Sequence, residues 1–246
     1  MKLCSFKKDM NVAVIGASGG IGNQIVEQLA RHDSVKTIYA LSRSQTSFSS
    51  EKVKWLPLDY SQEDSVEAAA SQASLSAPLD IVFVATGLLH NDDISPEKSL
   101  KEIDPQSFAK AFHVNSTGPA LVMKHFLPHM NKDAKSVFCV LSARVGSISD
   151  NYLGGWYAYR ASKAALNMLI KTASIEIARK NKHVCVAALH PGTVDTQLSE
   201  PFQSHVPEGK LFTPEYSSTC LIDVMNNLTH KDSGKIFAWD GQEIAP

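Results

Sequence analysis

The chain has 246 residues, 43% of them hydrophobic and 20% charged, with a formal net charge of -1. That composition is ordinary for a globular α/β domain with a sizeable core. The near-zero charge argues against a basic field that would draw nucleic acid or an anionic membrane. No run of about 18 apolar residues is present, so no membrane-spanning helix is expected, and the apolar run of "MKLCSFKKDMNVAVIG" is too short for a signal peptide.

Seven short apolar runs read as strands: 11–16, 35–41, 53–58, 80–86, 135–142, 183–190 and 235–239. Between them lie helix-like stretches near 20–31, 62–74, 105–130, 155–180 and 214–229. Strands apolar on both faces, alternating with helices, predict one doubly wound, Rossmann-type parallel β-sheet spanning residues 1–246. In such sheets ligands bind beyond the carboxyl ends of the strands. Of four cysteines, none forms a CxxC pair, and Cys139 and Cys185 fall within strand-like runs; buried free thiols suit a reducing, cytoplasmic setting.

The first strand runs into "GASGGIG", where Gly16, Gly20 and Gly22 form G-x-x-x-G-x-G at the start of a helix. Glycines there permit a tight turn and close approach of backbone N–H groups to a pyrophosphate, and the helix N-terminus favours its charge. The second strand ends in "YALSRS", with Arg43 and no acid. An acid at this point suits the ribose hydroxyls of NAD, whereas an arginine suits a 2′-phosphate, so NADP is favoured over NAD. Asp59, after the third strand, is a candidate acceptor for the adenine amino group or a turn residue ahead of the next helix.

In "YAYRASKAAL", Tyr159 and Lys163 stand four apart, on one face of a helix. An ammonium beside the phenol lowers its pKa, which is otherwise near 10, and fits Tyr159 for acid–base work. His125 and His129 share that spacing but lack a carboxylate or cysteine partner, and Pro128 interrupts their helix, so no metal is expected. No G-x-S-x-G elbow is present, which removes the hydrolase reading of an α/β sheet.

Together these motifs resemble the short-chain dehydrogenases/reductases, in their short single-domain branch, and most of all its C-signal-like and sniffer-type carbonyl reductases. The resemblance covers the whole chain: "GASGGIG", "VATG" (84–87), "FHVNSTGP", "YRASKAAL", "HPGTVDTQ" and "DGQEI". It implies a catalytic set of Tyr159, Lys163, Asn115 and a serine, with Asn115 supporting a water-mediated proton relay to the lysine. It implies cofactor contacts from Gly16, Ser18, Gly20, Ile21, Gly22, Arg43, Asp59, Tyr60, Ala85, Thr86, Gly87, Lys163, Pro191, Gly192, Val194 and Thr196. It also implies a small-molecule carbonyl or alcohol substrate and a homodimer or homotetramer.

The fifth strand ends "VLSARVGS", which puts Ala143 where the family's second serine stands. Ser142 is the first candidate to position the substrate oxygen and Ser147 the second. Residues 193–213 form a long connection, expected to act as a lid over the substrate. The resulting expectation is an NADP-dependent oxidoreductase acting on a carbonyl or secondary alcohol. Two rivals are an NADP-binding sensor with vestigial catalysis and a nucleotide-sugar epimerase, the latter disfavoured by glycine spacing and the lack of a substrate domain.

Overall fold

In the computed structural model, which describes residues 3–246, eight strands form the central sheet. They are β1 (Met10–Ile15), β2 (Val35–Ser42), β3 (Val53–Pro57), β4 (Ile81–Val84), β5 (Ser136–Leu141), β6 (Val184–His190), β9 (Ile236–Ala238) and β10 (Glu243–Ile244). A separate two-stranded parallel ribbon joins β7 (Thr193–Val194) to β8 (Leu211–Phe212). The order in the main sheet is β10-β9-β6-β5-β4-β1-β2-β3, parallel throughout except for the β10–β9 pair.

The helices are α1 (Gly20–Ala30), α2 (Glu63–Ser74), α3 (Pro105–Phe112), α4 (Gly118–Phe126), α5 (Tyr157–Ala178) and α6 (Pro214–Asn227). Successive strand residues face opposite sides of the sheet. Thus Ala13 and Ile15 of β1 pack with Val66, Phe126 and Leu166 of α2, α4 and α5. Val12 and Val14 pack with Ile25, Leu29 and Leu221 of α1 and α6 on the other side. Both faces are covered, which is why the strands read as unbroken apolar runs.

The stretch 105–130, expected as one helix, is broken twice. Residues His113–Thr117 form a π turn, in which the Gly118 N–H donates to the His113 carbonyl five residues back. Pro119 explains the widening, since it has no N–H to give the Asn115 carbonyl and its ring would crowd that carbonyl. Pro128 likewise turns the end of α4 into a 3₁₀ turn, Leu127–His129. Thr213 caps α6 as expected, accepting from the Tyr216 N–H at 3.1 Å ahead of Pro214.

The strand order reverses between β1 and β4, so a crevice opens above their carboxyl ends. Gly22 packs α1 against this point: a Cβ there would lie 2.2 Å from the Gly16 carbonyl oxygen. Gly22→Ala is therefore expected to force the glycine loop off β1 and cost about 1–3 kcal/mol, a loss that urea denaturation of the variant would measure.

Candidate active site

The glycine loop turns at Gly16, whose φ of +82° is accessible mainly to glycine. It lies against the end of β4, with a Cβ there meeting Thr86 at 3.0 Å. Gly19 begins α1 with no side-chain cap, and the first turn holds no acid. Its leading N–H groups thus face the crevice without a competing carboxylate, which is the arrangement an anion needs. Ser18 and Gly20 are exposed at the loop and Ile21 is half-buried beside them. Thr196 reaches over this loop, its methyl carbon 2.8 Å from where a Gly20 Cβ would stand. The turn carrying it passes through Pro191 and Gly192, at φ +79°, to the buried Val194.

Arg43 is exposed at the end of β2, with neither an ion pair nor a hydrogen bond among the described residues. Asp59 accepts from the Ser61 N–H at 2.9 Å, and that bond, aided by the charge of Arg43, holds its carboxyl below the usual range. One oxygen is thus engaged in the turn that Asp59 was expected to make. Tyr60 meets Thr86 through their hydroxyls at 2.9 Å, and burial pushes its phenol up. Ala85 and Thr86 are half-buried and Gly87 exposed at the β4 end.

Tyr159 and Lys163 stand one turn apart on α5, 9% and 2% exposed. The Lys163 ammonium lies 5.8 Å from the Tyr159 ring centre and donates to the Leu141 carbonyl at 2.9 Å. It also lies 3.8 Å from the Cβ position of Gly87. Burial draws the Lys163 pKa down to about 8 and pushes that of Tyr159 up to about 12. In the protein alone desolvation sets the direction for the phenol, and the lowering expected from the lysine is not found.

Asn115, in the π turn, is fully buried. Its Oδ1 accepts from the Leu88 N–H at 2.8 Å, while its Nδ2 donates to the Leu88 carbonyl at 2.8 Å and to Ser162 Oγ at 3.0 Å. Ser162 Oγ in turn donates to the Tyr159 carbonyl at 2.8 Å. The loop after β4, the π turn and the tyrosine helix are thereby joined. Ser162 escaped the sequence reading, since a serine among small helix residues carries no signal of its partner.

The two candidate serines are placed differently. Ser142 is 4% exposed and its hydroxyl donates to Asn167 Oδ1 at 2.7 Å. Ser147 Oγ accepts from the Asp150 N–H at 3.1 Å. Among the described residues, no hydrogen bond joins either hydroxyl to Tyr159. Ala143 continues the extended chain beyond β5, at φ -146° and ψ 146°. His125, set aside as a ligand, pairs with Glu63 at 2.9 Å.

A family model described as short chain dehydrogenase matches residues 10–207. The chain belongs to that family. Among relatives of this short chain dehydrogenase, 1-hydroxy-2-glutathionyl-2-methyl-3-butene dehydrogenase of Rhodococcus sp. (strain AD45) is 32% identical over 233 residues, covering 94% of this chain and 96% of its own. C-signal of Myxococcus xanthus is 34% identical over 146 residues, 59% of this chain and 82% of its own. In fold, the chain resembles the NADPH-bound carbonyl reductase from chicken fatty liver, with a TM-score of 0.85 and 24% identity over 98% of this chain and 96% of that one. It also resembles carbonyl reductase Sniffer of D. melanogaster, with a TM-score of 0.84 and 20% identity over 96% and 100%.

Replacing Asn115 by Ala strands both backbone groups of Leu88. The expected cost is about 2 kcal/mol or more, read as a lowered midpoint in chemical denaturation.

Proposed function

We propose that this short chain dehydrogenase transfers hydride between NADP(H) and a carbonyl or secondary alcohol of a small molecule, with Tyr159 as acid/base. The observation that carries this reading is the buried Tyr159–Lys163 pair beside Gly87, next to a glycine loop whose helix N-terminus is free to hold a phosphate. The residues fit such a cofactor: the uncapped α1 takes a pyrophosphate, the exposed Arg43 a 2′-phosphate, and Lys163 a ribose hydroxyl. Bound NADPH supplies the hydride. The NADPH and NADP named for fold neighbours support the choice of cofactor.

The chain's own part is to hold the carbonyl and manage one proton. Tyr159 keeps its proton at neutral pH and gives it to the oxygen as negative charge develops there. Lys163, charged below its pKa of about 8, stabilises the phenolate left behind. Asn115 fixes the loop and helix between which the relay runs. Ser142 remains the proposed positioning hydroxyl, and to donate to a substrate it must release Asn167.

That engaged hydroxyl is also the observation favouring the alternative, an NADP-binding sensor or signalling protein with weak turnover. Lid closure by residues 193–213 belongs to the same proposal, supported by Leu198 lying 3.6 Å from the Cβ position of Gly87. Pairing of α5 in a homodimer or homotetramer is supported by the exposed Met168 and Ile175, and a cytoplasmic setting by four free cysteines.

Fluorescence titration is expected to show NADPH bound more tightly than NADH, with Arg43→Ala losing about tenfold or more of that preference. Equal binding of both cofactors by the native protein removes Arg43 as the phosphate reader. Tyr159→Phe should lower the rate of carbonyl reduction by about a hundredfold or more with cofactor affinity kept; binding without turnover across a carbonyl panel favours the sensor. The reduction rate should hold below pH 8 and fall as Lys163 deprotonates above it, a limb that a kcat profile would display.

A further inference from the structure

Immediately before α5, three successive residues adopt left-handed backbone: Gly154 at φ +65°, Gly155 at +66° and Trp156 at +52°. Glycine takes this conformation freely, whereas a tryptophan there is an outlier that the surroundings must hold in place. They do so from both sides. The Trp156 N–H donates to the Glu97 carbonyl, and the buried Glu97 carboxylate accepts from the Ala158 N–H at 3.1 Å. The indole then meets two rings, Tyr159 at 6.2 Å and Phe202 of the lid at 5.1 Å, both edge-to-face. Phe202 meets His90 at 5.6 Å, and His90 Nε2 lies 3.0 Å from the Gln197 carbonyl, also in the lid.

Four rings from three segments of the chain, His90, Phe202, Trp156 and Tyr159, thus build one aromatic row that ends on the acid/base tyrosine. A glycine or asparagine would hold the turn at less cost, so the strain is explained by what the indole does. The indole is partly exposed, three residues ahead of Tyr159 and in contact with the lid through Phe202.

We propose that Trp156 is the specificity platform of the site, and that its substrates are carbonyls bearing an aryl or other flat conjugated group that packs against the indole. The proposal rests on the carbonyl-reducing reading above and names the substrate class for it. Aromatic packing of this kind is worth about two- to tenfold in affinity.

Two size-matched α-diketones test it, 1-phenylpropane-1,2-dione and 1-cyclohexylpropane-1,2-dione, with NADPH and the native protein, Trp156→Phe and Trp156→Gly. Glycine adopts the left-handed turn, so the ring is removed without unfolding it. The native protein should favour the phenyl substrate by about two- to tenfold in KM, Trp156→Phe should keep most of that preference, and Trp156→Gly should abolish it with NADPH affinity unchanged. Equal KM values for the native protein, or a preference surviving in Trp156→Gly, overturn the proposal. Binding of benzamide against cyclohexanecarboxamide to the NADP-loaded protein separates the two layers. Selective benzamide binding that depends on Trp156, with neither diketone reduced, upholds the platform and sinks only the catalytic reading; equal binding of the two amides sinks the platform whatever the turnover.

Discussion

One amide side chain holds the centre of this protein together. Asn115 satisfies both backbone groups of Leu88 and reaches Ser162, so a loop from the sheet, a turn between helices and the helix of Tyr159 share a single buried network. A buried polar network of this kind is stable only when every member is satisfied, and here the amide's donors and acceptor all find partners. The position requires a π turn, because an uninterrupted α-helix would rotate the side chains before and after it to different directions. The disposition of loop, lysine and tyrosine therefore depends on the widening that Pro119 imposes.

The electrostatics of the site follow from burial. Lys163 is placed where charge is costly, and its carbonyl partner, the end of β5, returns only part of the lost hydration. A lysine whose pKa is drawn down to about 8 lies near neutral pH rather than far above it. Tyr159, by contrast, is kept firmly protonated. Burial thus drives the two groups in opposite directions, each toward its neutral form.

Much of this was legible in the sequence, for identifiable reasons. Strands buried on both faces leave apolar runs, and each of the seven expected was found within a few residues of its place. Tyr159, Lys163 and the glycine loop announce themselves because their chemistry needs particular residue types at fixed spacing. The break at His113–Thr117 was missed because a proline in a helical pattern says that something gives way, not how. Glu97 was invisible for a different reason: it caps a helix 61 residues away, and its acidic side chain reads as an ordinary loop residue. The commitment of Ser142 to Asn167 was equally hidden, since a motif specifies a hydroxyl's position but not the acceptor it finds.

The order of the main sheet has one more consequence. Its two ends are β3, which carries Lys54 and finishes at Pro57, and β10, only two residues long and antiparallel to its neighbour. A lysine-bearing border that ends in a residue without an N–H, and a border too short to template a partner, both discourage strands of another molecule from joining the ladder. In the folded chain, neither border offers a long, regular edge to which a strand of another molecule could add.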